Sequence, residues 1–379
     1  MANPRMSKQT QEQIKQELDK GGTNRAIARK LGVAEGSVSN VRNGYITDEV
    51  AINKARREAR YANKKAADAL KEIERLQQEL AEYEMASGIV ECFRPVDIQP
   101  KRGGKGEATA IICVSDWHFE EQIIKAAVNG VNEFNIDIAK KRVNRFWASA
   151  ASLVDMCRSR SIIQTIVVNV LGDLINGMIH EEYLATNELT PSEAVLVVFE
   201  QLVSGLEFLK KETKAKKIIV PCVCGNHGRF TQKRWSKKGP GMSFEWLLYN
   251  LAAKYFQARN DKVVRFVLPQ GDMTYITVYG RTIRITHGDN IQYCGGIGGV
   301  HIPLRKALDN WNTQVRADYN YIGHWHTDLT GEDYRISGSL VGYNEYAVRI
   351  KGRFQRPSQA FEIQDPRYGA TARFPIILE

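Results

Sequence analysis

The chain has 379 residues, 43% hydrophobic and 25% charged, which excludes disorder as the default and accommodates one large domain with one or two smaller modules. No apolar run approaches the ~18 to 20 residues needed to span a bilayer, and Met1 to Thr10 is polar rather than signal-like, so membrane and secreted readings drop out. Lys and Arg (53) exceed Asp and Glu (43) for a net charge of +10, which suits an anionic partner such as nucleic acid.

The six cysteines are too sparse for a disulfide scaffold, so reduced thiols and a cytoplasmic protein are expected. From Ser7 to Asn43 the chain reads as three short helices, and Asn24 to Asn43 has the spacing of a helix-turn-helix. Ala28 permits a close helix crossing, and Gly32 suits the left-handed turn between helices. Ile27, Leu31, Val33, Val38 and Val41 supply a common core. In such a module the second helix enters the major groove, placing Glu35, Ser37, Ser39, Asn40 and Arg42 near bases or phosphates; a protein-binding three-helix adaptor is the alternative.

From Ile52 to Tyr83 apolar residues keep 3-4 spacing without an internal Gly or Pro, the pattern of a coiled coil and hence of a homodimer or higher homo-oligomer. Its first half is basic and Ala-seamed, its second half acidic and Leu/Ile-seamed. The Pro/Gly/Lys-rich stretch from Pro95 to Glu107 reads as a linker. The expected division is therefore a helix-turn-helix domain over 1–48, a coiled-coil helix over 49–88, a linker over 89–107 and an α/β domain over 108–379.

In the α/β domain, strands are predicted at Ala110 to Val114, Ile166 to Leu171, Lys217 to Cys224, Val263 to Leu268, Tyr275 to Tyr279, Thr282 to Thr286 and Tyr319 to Ile322. Helices are predicted at Ile138 to Cys157, Pro191 to Leu209, Gly241 to Ala258 and Ile302 to Trp311. Polar, ligand-type residues follow five of these strands: Asp116-Trp117-His118, Gly172-Asp173, Gly225-Asn226-His227, His287-Gly288-Asp289 and Gly323-His324-Trp325-His326. Residues two apart on extended chain point the same way, so Asp116 with His118, and His324 with His326, can reach one ion. Strand ends are where α/β folds place sites. Carboxylate, carboxamide and imidazole together suit a divalent ion such as manganese, iron or zinc.

The ordered series DxH, GD, GNH, H and GHxH resembles that of the calcineurin-like metallophosphoesterases, from about Ala108 to the end of the GHxH segment. The resemblance implies a two-layer β-sandwich flanked by helices with two divalent ions at one edge, manganese first, with iron, zinc, magnesium or nickel as alternatives. It implies that Asp116, His118 and His326 hold one ion, that Asn226, His287 and His324 hold the other, and that Asp173 bridges them. His227 would give a proton or hydrogen bond to the leaving group of a phosphoester. Two departures stand out: Asn176 occupies a position that is often acidic, and Gly228 and Arg229 follow GNH where an acid is common, so Arg229 is a candidate phosphate contact.

Taken singly, each of these histidines reads as an ordinary satisfied polar residue, and Asp289 as a surface or outer acid. Cys222 and Cys224 read as core, His301 as a helix start, and His180 either as an exposed loop residue or as part of the substrate entrance. Arg229, Lys233, Arg234, Lys237 and Lys238, interleaved with Phe230 and Trp235, fit a nucleic-acid-handling rim, or only a solvated loop. The combination points to a nuclease or nucleic-acid phosphodiesterase recruited to DNA by the N-terminal module, a fusion similar to proteins of phage or prophage origin. The alternatives are a hydrolase of small phosphoesters or nucleotides, and a DNA-binding regulator or packaging protein with a silent metal domain.

Overall fold

The structure, a computed structural model, describes residues 7–44, 71, 96–99, 106–292 and 299–379. The expected coiled coil, apart from Lys71, lies outside the described residues. The chain divides into two compact units, Met1–Ser87 and Gly88–Glu379. Among the described residues no helix is long and apolar enough to cross a membrane.

In the first unit, α1 (Lys8–Asp19) and α2 (Asn24–Leu31) are each started by a hydroxyl cap, Ser7 on the Thr10 amide and Thr23 on the Ala26 amide. Gly32 closes α2 at φ 65°, a left-handed C-cap that an L side chain rarely adopts. A third helix, α3, covers 35–44. Ile14, Ile27, Ala28 and Val38 are buried together, with Leu31, Val33 and Val41 packed on them.

The second unit opens on a strand that the linker reading missed. Val96–Ile98 (β1) pairs in parallel with β6 (Met273–Val278). The other strands are β2 (Glu107–Val114), β3 (Ile162–Val170), β4 (Lys217–Pro221), β5 (Val264–Val267), β7 (Arg281–Thr286), β8 (Tyr319–Ile322), β9 (Leu329–Thr330), β10 (Tyr334–Ile336), β11 (Ser358–Asp365) and β12 (Gly369–Ile377). They form two six-stranded sheets, ordered β1-β6-β7-β8-β10-β9 and β12-β11-β2-β3-β4-β5. Strands β2 to β5 run in parallel, as do β7, β8 and β10.

The sheets face each other across one apolar core. Ile111 and Cys113 of β2 and Val167 of β3 meet Ile276 and Val278 of β6, Ile283 and Ile285 of β7, and Tyr319 and Tyr321 of β8. The i, i+2 spacing of these residues is the two-residue strand period seen from the inside of a sandwich.

Helices α4 (Ile136–Arg158), α6 (Pro191–Thr213) and α7 (Phe244–Ala258) pack successively on one another, α4 also touching β3 and α7 touching β5. Helix α6 begins with Pro191 at its first position and a capping box between Thr190 and Glu193. Two short helices, α5 (Glu181–Thr186) and α9 (Glu345–Arg349), were not expected, whereas α8 (His301–Asn312) was. The predicted strand to Cys224 ends at Pro221, with an isolated bridge at Cys222.

Candidate metal centre

All five ligand-type segments leave the C-terminal ends of strands: β2, β3 and β4, neighbours in one sheet, and β7 and β8, neighbours in the other. Because each set is parallel, its loops emerge at one edge. Hydrogen bonds then lace the loops together. The Asp116 amide donates to Gly172 O (3.0 Å), the His118 amide to Asp173 O (3.0 Å), and the Gly323 amide to His287 O (3.0 Å). The His324 amide donates to the Asp116 carboxylate at 3.0 Å, and the His227 amide to Asp173 Oδ1 at 2.8 Å.

The spacing argument from strand alternation is wrong in its physical basis. Asp116 and His118 lie beyond β2 at φ 51° and 41°, and His324 and His326 lie beyond β8 at 69° and 49°; Asp173 is at 52°. Left-handed backbone at a residue with a side chain costs of order 1 to 3 kcal/mol and persists only where the surroundings over-determine it. Here the converging side chains come from tight loops, not from extended chain.

The crowding also explains a glycine pair. A Cβ at Gly225 would lie 2.0 Å from Asp173 Oδ1, and one at Gly172, itself at φ 90°, would lie 2.3 Å from the Gly225 amide nitrogen.

Three groups of donors result, each with its ligand atoms within 4.8 Å of one another: Asp116, His118 and His326; His118, Asp173 and His227; and Asp173, His287 and His324. Asn226 joins the third, its Oδ1 lying 3.1 Å from His287 Nε2. Asp173 thus belongs to two groups. Asp116, His118, Asp173 and His287 are at most 2% exposed; Asn226, His227, His324 and His326 are half-buried.

The imidazoles are oriented as metal ligands are. A ligating ring commonly donates its second N–H to an oxygen that fixes the tautomer. Here Nδ1 of His287 faces Leu171 O at 2.7 Å, Nδ1 of His118 faces Asn176 Oδ1 at 3.1 Å, and Nδ1 of His227 faces Asn176 O at 3.1 Å. A carbonyl oxygen only accepts, so in His287 and His227 Nδ1 carries the proton and Nε2 is left for the centre. Asn176, noted in the sequence as a departure, therefore holds two rings, one by its side chain and one by its main chain.

The electrostatics fit the same role. Burial, reinforced by neighbouring imidazoles, holds His118 well below the ordinary histidine range and brings His324 down to about 4. Burial opposes ionisation of Asp173, yet the His287 and His227 rings hold it well below the usual carboxylate range. Burial likewise disfavours a charged His287, but Asp173 Oδ2, 2.9 Å from its Nε2, outweighs this and lifts it to about 10. Ionised carboxylates, imidazoles whose Nε2 becomes a ligand once an ion displaces any proton there, and a carboxamide oxygen make a donor set suited to a borderline divalent ion.

The residues proposed for substrate are dispersed around this centre. Arg229, Arg234 and Trp235 line a cleft with Asn226. The Arg229 guanidinium is engaged by the carbonyls of Asn226, Thr231 and Gln232, and Arg234 by Asp272 and Asp289. Arg229 therefore holds its own loop, whereas Arg234 ties that loop to acids just before β6 and just after β7; Lys233, Lys237, Lys238 and Trp235 are exposed. His180, exposed, lies 6.5 Å from the His227 ring, and Tyr183 stacks on His227 at 5.5 Å and 25°. In the first unit Ser37 and Ser39 are half-buried and Asn40 exposed, while Arg42 donates to Gly22 O at 2.6 Å.

Sequence reasoning missed Glu245. Fully buried near the start of α7, it accepts the Leu174 amide on one oxygen and the Gly225 amide on the other, both at 2.6 Å. These amides adjoin Asp173 and Asn226. Burial, then the charge on Asp173, pushes the Glu245 carboxyl up to about 8, while the two amides favour its ionised form. Glu245→Gln replaces one acceptor with a donor facing an N–H. Calorimetric titration with manganese should show affinity reduced about 10- to 100-fold, the usual loss for an outer partner of a ligand; unchanged affinity would mean that Glu245 does not hold the two loops.

No family model matches the sequence, and no curated protein matches it. Among solved structures, the zinc complex of Vps29 from Entamoeba histolytica is similar at 12% identity, covering 70% of this chain and 99% of that one, with a TM-score of 0.27. Vps29 from Cryptosporidium parvum is similar at 11% identity, over 71% of this chain and 99% of that one, with a TM-score of 0.28. What the centre described above can do follows from its own donors.

Proposed function

We propose that the chain is a phosphoesterase dependent on two divalent ions, acting as a nuclease or nucleic-acid phosphodiesterase and brought to DNA by its N-terminal helices. The observation that carries this reading is the position of Asp173, shared between a group containing His118 and a group containing His287 and His324. Asp116, His118 and His326 would hold one ion, and Asn226, His287 and His324 the other. Such ions act as Lewis acids on a phosphoryl group and lower the pKa of water. His227, its Nδ1 proton engaged by Asn176, presents Nε2 as a base in its neutral form and as an acid only once protonated.

The test is hydrolysis of bis-p-nitrophenyl phosphate and of a labelled oligonucleotide by purified protein, with manganese and with chelator. Metal-dependent turnover of both is expected; turnover of neither ends the reading. Turnover of the chromogenic ester alone favours a hydrolase of small phosphoesters, which the engagement of both Arg229 and Arg234 by groups of the protein itself also favours.

The DNA-recruitment part has its own measurement. Ser37→Ala with Asn40→Ala should weaken duplex binding in a gel-shift titration about tenfold, within the scale of lost base contacts, with chromogenic-ester turnover unchanged. Unaltered binding would leave α3 without a role in DNA.

A further inference from the structure

His227, Asn176, Asn187 and Tyr183 form a closed circuit of contacts. Nδ1 of His227 donates to Asn176 O at 3.1 Å, and Asn176 Nδ2 donates to Asn187 Oδ1 at 2.8 Å. The Asn187 amide donates to Tyr183 O at 2.9 Å. The Tyr183 ring then lies back on the His227 ring, with centroids 5.5 Å apart and planes at 25°. Neither Tyr183 nor Asn187 belongs to a ligand-type segment.

The segment that carries them has no core packing to hold it. Helix α5 spans six residues, none of them buried, and Leu184 is 62% exposed. So short a helix does not persist unaided in water. Its flanks are gripped instead. The Gly177 amide donates to Glu120 Oε1 at 2.8 Å and the Glu188 amide to Glu120 O at 3.0 Å, while Asn187 Nδ2 donates to Gly177 O at 3.0 Å. Glu120 follows His118 in the same ligand loop, so the base of the α5 segment rests on that loop and Tyr183 rests on His227. His180, just before α5, meets the Tyr183 ring at 5.1 Å and 86°.

We propose that Tyr183 and Asn187 are positioning residues for His227: the stacked ring fixes the imidazole plane, and Asn187 joins that ring to the residue that fixes Nδ1. This rests on the reading of His227 as the proton-transfer group. A hydrogen bond at Nδ1 settles one atom, whereas rotation of a histidine ring about its Cβ–Cγ bond is broad and roughly two-fold. A flat partner on one face, together with the His118 ring at 4.6 Å and 85°, removes that freedom. Nε2 is then kept on the centre, where a misplacement of about 1 Å is enough to forfeit much of a group's effect.

The test uses the full-length protein with saturating manganese and bis-p-nitrophenyl phosphate. Tyr183→Ala should lower kcat about tenfold with KM unmoved, the upper end of what one aromatic pair contributes. Tyr183→Phe keeps the ring and should recover most of that loss. Asn187→Ala should lower kcat about fivefold, on the scale of one hydrogen bond. The deciding measurement is Tyr183→Ala combined with His227→Ala: removing the tyrosine ring should cost nothing further once the imidazole is gone, because effects that pass through one group do not add.

Wild-type kcat in Tyr183→Ala or in Asn187→Ala, beside the large loss in His227→Ala, would overturn the positioning role of that residue alone. An additive loss in the double variant, whether from a substrate contact or from a damaged fold, would show that Tyr183 acts apart from His227 and overturn it too. Tyr183→Phe as slow as Tyr183→Ala would assign the effect to the hydroxyl and end the stacked-ring account. His227→Ala at the wild-type rate would remove the proton-transfer reading and the positioning residues with it.

Discussion

His227→Ala should lower turnover of a chromogenic phosphodiester by about 10² to 10⁴, the scale of a positioned proton-transfer group, while the protein retains its metal. The ring is held from three sides: Nδ1 by Asn176 O at 3.1 Å, one face by Tyr183, and its edge by His118 at 4.6 Å. Burial lowers its pKa from 6.5, with only partial relief from Asp173. At neutral pH it is therefore an uncharged base, and a base works only above its own pKa. The rate should rise with pH through a midpoint below 6.5, and that limb should vanish in His227→Ala. His227 also stands among the donors grouped with His118 and Asp173. Elemental analysis separates the two roles: metal lost in proportion to activity would make His227 a ligand.

The ligand-type residues were legible in the sequence because each follows a strand whose apolar run is unmistakable. Parallel pairing of β2, β3 and β4, and of β7 with β8, then brings those strand ends together. The backbone that aims them was not legible. The left-handed backbone at Asp116, His118, Asp173, His324 and His326 has no signature of its own; it is imposed by contacts such as the His324 amide on the Asp116 carboxylate, between residues 208 positions apart.

The same cause hid Glu245, whose partners are main-chain amides 20 and 71 residues away. Strand β1 was lost in a linker because three residues between Pro95 and Gln99 have no periodicity to read; only its partner β6 makes it a strand. Strand β11 failed differently. It is buried almost throughout yet contains Gln359, Glu362 and Gln364, and these break the apolar run that marks a buried strand. Their polarity is met by groups the local sequence does not show: Gln359 bonds the Ser115 main chain, Gln364 bonds Tyr321, and one carboxylate oxygen of Glu362 pairs with Arg373 on β12.

Asp173→Asn should be the more damaging change at the centre, because one carboxylate serves two donor groups. The substitution keeps the shape and the Oδ1 acceptor for the His227 amide. It turns Oδ2, 2.9 Å from His287 Nε2, into a donor and removes the charge. Tightly held metal should be lost, with turnover reduced beyond the ~10- to 100-fold typical of an outer partner; wild-type stoichiometry and affinity would dismiss Asp173 as the shared ligand. The metal-free protein supplies a second readout. His287 is raised from 6.5 to about 10, so its contribution to stability is complete below 6.5 and is lost as pH rises through about 10. Asp173 is depressed from 3.8, so its contribution is present above 3.8 and is lost as pH falls through its lowered value. Chelated wild type should therefore show a Tm that falls between pH 7 and 10.5, and Asp173→Asn a lower Tm that changes less over that interval. An ion at His287 Nε2 must displace the proton that Asp173 stabilises there, so metal affinity in wild type should climb with pH toward 10. An affinity independent of pH across that range would place the ion elsewhere.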